Sequence, residues 1–328
     1  MKAIVDDKIP YISGKIEQLV DEVVYMPGAA IKPADVRDTD ILIVRTRTRC
    51  DEQLLAGSRV KLIVTATIGF DHLDTRWLEQ QGIRWTNCPG CNASSVRQYV
   101  HNSLYALGQL KAGMTAGVVG VGHVGSLVAD DLEACGMNVL RCDPPKGEPF
   151  TLELIAREAD IITFHTPLTR DGDYPTYHMA DETFFNSLQK KVTLINAARG
   201  GVVDEQALLA AMESGQVCHA VIDTWEGEPD INRELLNKAV IATPHIAGYS
   251  ADGKANATRM SLQAVADYLG IPFTLEVVPP ALPDGYSYNG DDSGILSLYD
   301  PRTDSEHLKA DPRAFEWLRG HYPLRREL

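Results

Sequence analysis

The sequence predicts an α/β protein made of two doubly wound parallel-sheet domains, Rossmann-like or flavodoxin-like, with a small carboxy-terminal appendage. Three observations predict it. Short β-branched apolar runs alternate with helical or loop stretches through two successive stretches of chain, the pattern of parallel sheets covered by helices. A glycine-rich turn near the middle sits between a strand and a helix. From about residue 280 the chain changes to a Pro-, Gly-, Asp- and Ser-rich composition too poor in apolar residues for a core of its own. A length of 328 residues is also long for one core and favours two domains.

The first strands are "KAIVD", "EVVYMP", "DILIVRT", "KLIVTAT" and "IRWTNC". Residues 93–111 then space Val96, Tyr99, Val100, Leu104, Leu107 and Leu110 along one helical face. A second unit follows with "MTAGVVGVGHVGSLVADDLEACGMNVLRCDPP", read as strand, glycine turn, helix and strand. Its further strands are "ADIITFHTPL", "KVTLINAA", "CHAVIDTW" and "AVIATPHI". The helix in "SADGKANATRMSLQAVADYLG" is expected to return to the first unit, which makes that domain discontinuous. The expected boundaries are 1–93 with 255–279, 94–254, and an appendage at 280–328 that packs on a partner subunit.

Hydrophobic residues at 44% and charged residues at 23% are ordinary globular composition. A net charge of −14 argues against nucleic acid or an anionic membrane as partner. No apolar run approaches the ~20 residues that span a bilayer, and the start lacks a signal peptide's apolar core. A cytoplasmic location is expected. The six cysteines form no disulfide framework, which suits a reducing compartment. Cys88 and Cys91 form a C-x-x-C without the second pair that zinc requires, so no metal is expected.

"VVGVGHVG" supplies Gly120, Gly122 and Gly125, with His123 and Val124 between the second and third. The first glycine makes the turn, the second admits a pyrophosphate against backbone, and the third lets helix pack on strand. The helix N-terminus adds amide donors and a positive dipole end. The next strand ends in Asp143, 18 residues after Gly125, placed to accept from ribose hydroxyls and to repel a 2′-phosphate. That favours NAD over NADP, although neighbouring Arg141 weakens the preference.

Three later strands each end in polar residues: Arg199 in "LINAARGG", Asp223 and Glu228 in "VIDTWEGEP", and His245 in "ATPHIAGYS". Alone, His245 reads as a satisfied core histidine. Residues just past the carboxyl ends of doubly wound strands, however, line the cofactor crevice. There a histidine titrates near neutrality, a carboxylate orients it, and an arginine clamps a substrate carboxylate. In the first unit "VRTRTRCD" places Arg45, Arg47 and Arg49 at alternate positions, on one side of the chain if the strand continues. Arg45 is the best anion-binding candidate.

"VVGVGHVG", "LINAARGGVVDEQAL", "DTWEGEP" and "TPHIAGYS" resemble the D-isomer-specific 2-hydroxyacid dehydrogenase family over roughly residues 40–270. "VDDKIPY", "TATIGFDHLD", "CPGCNA", "CDPP", "TFHTPLTRDG" and "GKA" resemble one branch of it, which oxidises a small phosphorylated 2-hydroxy acid toward pyridoxal 5′-phosphate. The resemblance implies catalytic roles for Arg199, Glu228 and His245. It implies NAD contacts from Thr166, Ala197, Ala198, Arg199, Asp223 and Gly248, and substrate contacts from Thr46, Thr67 and Tyr249. It also implies a homodimer, because the tail resembles a shortened dimerisation domain from which Arg302 reaches the partner's site. The basic Arg47 and Arg49 depart from the branch, as does Gln98, where many relatives carry an acid. Two alternatives stay open: a dehydrogenase for 3-phosphoglycerate, glycerate or another 2-hydroxy acid, or an NAD-binding regulator.

Overall fold

The computed structural model describes residues 1–282, 286 and 294–327. The chain divides into two compact units, Met1–Asn92 with Ser250–Ala281, and Ala93–Tyr249 with Leu282–Leu328.

In the first unit the strands are β1 (Lys2–Asp6), β2 (Glu22–Met26), β3 (Ile41–Val44), β4 (Leu62–Thr65) and β5 (Arg84–Thr86). All are parallel, in the order β2-β1-β3-β4-β5. β3 and β4 are buried along their whole length, which is why "ILIV" and "LIVT" read as unbroken apolar runs. Alternation assigns their side chains to two faces. Ala3, Val5, Ile41, Ile43, Leu62 and Val64 meet the helix Ala251–Leu269 through Ala255, Leu262 and Val265. Ile4, Leu42, Val44 and Ile63 pack on Leu54, Leu55 and Leu78. The helix opens on Ser250, whose Oγ accepts from the Gly253 amide at 2.8 Å, and stops at Gly270 in the left-handed region. Cys88 lies buried in this unit and donates to the carbonyls of Thr65 and Ala257, and burial pushes its thiol up to about 11. Such a thiol is a packing group rather than a nucleophile.

The second unit holds β6 (Thr115–Val119), β7 (Asn138–Cys142), β8 (Ile161–Phe164), β9 (Val192–Asn196), β10 (Val217–Ile222) and β11 (Ile241–Ala242). The parallel order is β11-β10-β9-β8-β6-β7. The chain leaves β6 to one side for β7 and to the other for β8. The crevice beyond the carboxyl ends of β6 and β8 is therefore the topological switch point, where ligands of such sheets bind.

Two expectations need correction. The helix of 93–111 ends at Ala106. Gly108 takes φ +62, the Gln109 amide turns back to the Leu104 carbonyl, and Leu107 and Leu110 pack from the turn beyond. The described part of the tail also finds its core within the chain. Its helices are Ile295–Leu298, Pro301–Ala310 and Phe315–Gly320. Leu308 and Phe315 are buried in the core beneath the second sheet, and Tyr299 in the core on its other face. Ser305 Oγ accepts from the Ala242 amide at 2.9 Å, so the tail covers the free edge of β11.

Candidate active site

The glycine turn follows β6, and each glycine has a separate reason. Gly120 has φ +87, and a Cβ there would lie 2.8 Å from the His165 carbonyl carbon and the Thr166 methyl. A Cβ on Gly125 would lie 1.8 Å from the Gly120 oxygen. Around Gly122 there is open space, and this residue caps the helix His123–Ala134 without a capping side chain. A crowded first and third glycine with an open second one is the cradle a dinucleotide pyrophosphate requires. Asp143, at the end of β7, accepts from the Val121 amide through Oδ2 at 2.8 Å. Lys146, which no pattern singled out, donates to the Val121 carbonyl at 2.7 Å and brings a cation to the same turn. Arg141 is committed elsewhere: it pairs with Asp130 at 2.8 Å and Glu133 at 2.9 Å.

The other strand ends of this unit open into a cleft of about 320 Å³. Its walls include Arg170, Tyr177, Arg199, Trp225, Glu226, Glu228 and His245. The arginine, acid and histidine foreseen from the sequence thus share one cavity. Asn196, the last residue of β9, ties the turn of Ala197, Ala198 and Arg199. Its Oδ1 accepts from the Ala198 amide and its Nδ2 donates to the Arg199 carbonyl. Gly200 brings this turn against the β10 loop, since a Cβ would lie 2.0 Å from the Trp225 oxygen.

His245 follows β11 with φ +56, a left-handed conformation that is rare outside glycine and is held here by its surroundings. Asp223 supplies the hold. Its backbone oxygen accepts from the His245 amide, and its buried carboxylate accepts from Thr243 Oγ1 at 2.6 Å and from the amides of Ile246 and Ala247 at 2.8 and 3.0 Å. Burial pushes this carboxyl up, although the charge of His245 and the hydrogen bonds oppose it. Asp223 is only 1% exposed, so its carboxylate serves the loop carrying His245, Gly248 and Tyr249.

His245 Nδ1 faces both Glu228 oxygens, at 2.8 and 3.1 Å. Oε1 of Glu228 also accepts from the Trp225 amide at 3.0 Å, which fixes the carboxylate plane. Burial raises the Glu228 carboxyl, but His245, that amide and Arg319 outweigh it and hold it below the usual glutamate value. A carboxylate on one ring nitrogen fixes the tautomer and leaves the other nitrogen for a proton transfer. Beside the pair, Arg170 lies 3.7 Å over the Tyr177 ring, and His178 stacks on that ring while bonding Glu226 at 2.8 Å. None of Trp225, Tyr177, Arg170 or Arg319 carried a spacing signal.

Within the first unit the three arginines part company. β3 ends at Val44, and a turn closed by the Thr48 amide on the Arg45 carbonyl replaces the extended chain. Arg45, Arg47 and Arg49 therefore do not project in register. Arg45 turns to Asp6 at 3.2 Å, and Arg49, largely exposed, pairs with Asp51 at 2.8 Å. Asp6 is buried, and among the described residues its Oδ2 and Arg45 Nε have no hydrogen-bond partner. Thr67 Oγ1 bonds Thr65 and the Gly69 carbonyl, and Thr65 reaches His72. Thr46 is exposed on the turn. In the tail, Arg302 is held by Asp300 through both carboxylate oxygens.

A family model described as D-isomer specific 2-hydroxyacid dehydrogenase, NAD binding domain, matches residues 91–247. The chain is 52% identical to an erythronate-4-phosphate dehydrogenase of Bacteroides fragilis, over 100% of this chain and 97% of that one. It is 42% identical to the enzyme of that name from Porphyromonas gingivalis, over 100% and 94%. Among solved structures it resembles a D-lactate dehydrogenase of Aquifex aeolicus complexed with NAD and lactic acid. The TM-score is 0.64 at 25% identity, covering 82% of this chain and 96% of that one.

Proposed function

This chain belongs to the erythronate-4-phosphate dehydrogenases, within the D-isomer specific 2-hydroxyacid dehydrogenases. From that premise we propose that it oxidises C2 of 4-phospho-D-erythronate, giving 2-oxo-3-hydroxy-4-phosphobutanoate. The observation that carries the reading is the Glu228–His245 pair on the wall of the cleft that Arg199 also lines.

NAD, when bound, accepts the hydride that leaves C2. The turn of Gly120, Gly122, His123, Val124 and Gly125 would hold its pyrophosphate, and the open space at Gly122 fits that group. Thr166 lies against the same turn. Asp143 keeps acceptor capacity for ribose hydroxyls after serving Val121, and Arg141, spent on two acids, is no partner for a 2′-phosphate.

His245 takes the C2 hydroxyl proton on Nε2. Glu228 holds Nδ1–H and stabilises the imidazolium that forms. Arg199 binds the substrate carboxylate through paired N–H donors and polarises the C2 oxygen. In the first unit Arg45, with Thr46 and Thr67, is the candidate for the distal phosphate, and Tyr249 contributes from the loop of His245. Asp6 against Arg45 then orients the guanidinium. The same reading makes the protein a cytoplasmic homodimer; no helix among the described residues is long and apolar enough to cross a membrane.

The test is His245→Ala. The variant should lose ~10²–10⁴ in kcat with NAD affinity unchanged, as expected for a lost acid–base group. A fully active variant would refute the assignment. Profiling against 3-phosphoglycerate and glycerate tests the substrate, and a higher kcat/KM for either overturns that part.

A further inference from the structure

The tail places two arginines on the machinery just described. Arg325 is buried, and the negative charge of Asp304 favours its own positive charge. It spends its donors on the loop after His245: the carbonyls of Ile246 at 3.1 Å, Ala247 at 2.6 Å and Tyr249 at 2.8 Å. The remaining donors go to Ser95, to Gln98 Oε1 at 3.1 Å and to the Tyr322 hydroxyl. The guanidinium also lies 4.0 Å over the Tyr299 ring. Burying an arginine on neutral oxygens is costly unless its fork of donors fixes something. Here it fixes the backbone that presents His245 and Tyr249. Gln98, amide rather than acid, accepts from Arg325 and donates to the Arg326 carbonyl.

Arg319, on the helix Phe315–Gly320, stands with Nη1 3.8 Å from Glu228 Oε2, the oxygen nearest to His245, and also hydrogen-bonds Tyr249. We propose that the tail completes the active site of its own chain, with Arg325 bracing the loop of residues 245–249 and Arg319 acting as a positioning residue that holds Glu228 and Tyr249. The inference rests on His245 and Glu228 being the proton-transfer pair.

The groups facing that pair fix the sign of its pH dependence. Arg319 approaches from the tail, with Glu316 3.9 Å behind it. Asp223 lies beneath His245, and Arg199, Arg170 and Glu226 line the cleft. The positive charge of Arg319 competes with the imidazolium for Glu228. Without it the protonated imidazole is favoured, and activity needing the neutral form appears at higher pH.

In the full-length enzyme, Arg319→Gln should move the acidic limb of the kcat/KM profile upward by about half to one pH unit. It should lower kcat more than it changes the KM for 4-phospho-D-erythronate. Arg319→Lys, which keeps the charge, should retain the wild-type limb. A purely structural arginine would change thermal stability and leave the limb in place. A folded Arg319→Gln enzyme with the wild-type limb overturns the proposal, as does an Arg319→Lys enzyme shifted as far as the glutamine variant. Failure of the wild-type protein to form NADH would instead overturn the underlying functional reading.

Discussion

His245 follows β11, and its backbone conformation and ring partner are both set by the one segment that follows β10. Asp223 beyond β10 pins its loop, Glu228 holds its ring, and the Trp225 amide holds Glu228. Replacing Glu228 by Gln keeps the shape and removes the charge that fixes the tautomer. The expected loss is ~10²–10⁴ in kcat with NAD affinity retained; comparable turnover in the variant would remove Glu228 from the mechanism. The pair also has a stability signature. Glu228 titrates below its unfolded value, so its ionisation stabilises the fold above the ordinary glutamate pKa of about 4.3 and that contribution fades as pH falls through the folded value. The gap in urea midpoint between wild type and Glu228→Gln should narrow on acidification through that window; a widening gap would give the wrong sign. Arg199, Glu228 and His245 were legible because they end strands of one parallel sheet. Arg319 and Arg325 were not, because nothing local ties a tail residue to a loop about 80 positions earlier.

At the scale of elements, apolar runs located the strands found among the described residues, but turn chemistry set where they end. "DILIVRT" reads as one extended run, yet β3 stops at Val44, because the Arg45 carbonyl is taken by Thr48. Helical spacing likewise ran past Ala106, where Gly108 ends the helix at a positive φ. The glycine turn was legible, and the structure separates its members by function. Gly125→Ala drives a methyl into the Gly120 carbonyl and should destabilise the fold by about 2 kcal/mol or more. Gly122→Ala meets open space in the protein and should leave the melting temperature nearly unchanged while weakening NAD binding. Thermal melts and NADH fluorescence titrations of the two variants check this; equal stability loss in both, or unaltered NAD affinity in Gly122→Ala, would contradict it.

At the scale of the whole molecule, the two units were foreseen as an α/β pair, while the tail's partners were not. Its low apolar content suggested a surface borrowed from a second subunit. Instead Leu308, Phe315 and Tyr299 are enough to seat the described part on the second unit, where Ser305 covers the edge of β11. Trp317 remains 62% exposed on that tail, stacked on His321. Light scattering should report a dimer, and a monomer at working concentration would remove the homodimer from the account. Arg302 is a separate question: bound to Asp300 in its own chain, it reaches a partner's site only by leaving that ion pair. Unchanged substrate affinity in Arg302→Ala would exclude such a role.

The most direct measurement is the appearance of reduced nicotinamide when the purified protein is mixed with 4-phospho-D-erythronate and NAD, in steady state and in a single turnover. The account predicts reduced cofactor in amounts that saturate with substrate, and its near disappearance in His245→Ala. No reduced nicotinamide in either regime from a folded, NAD-binding protein would contradict the account at its centre.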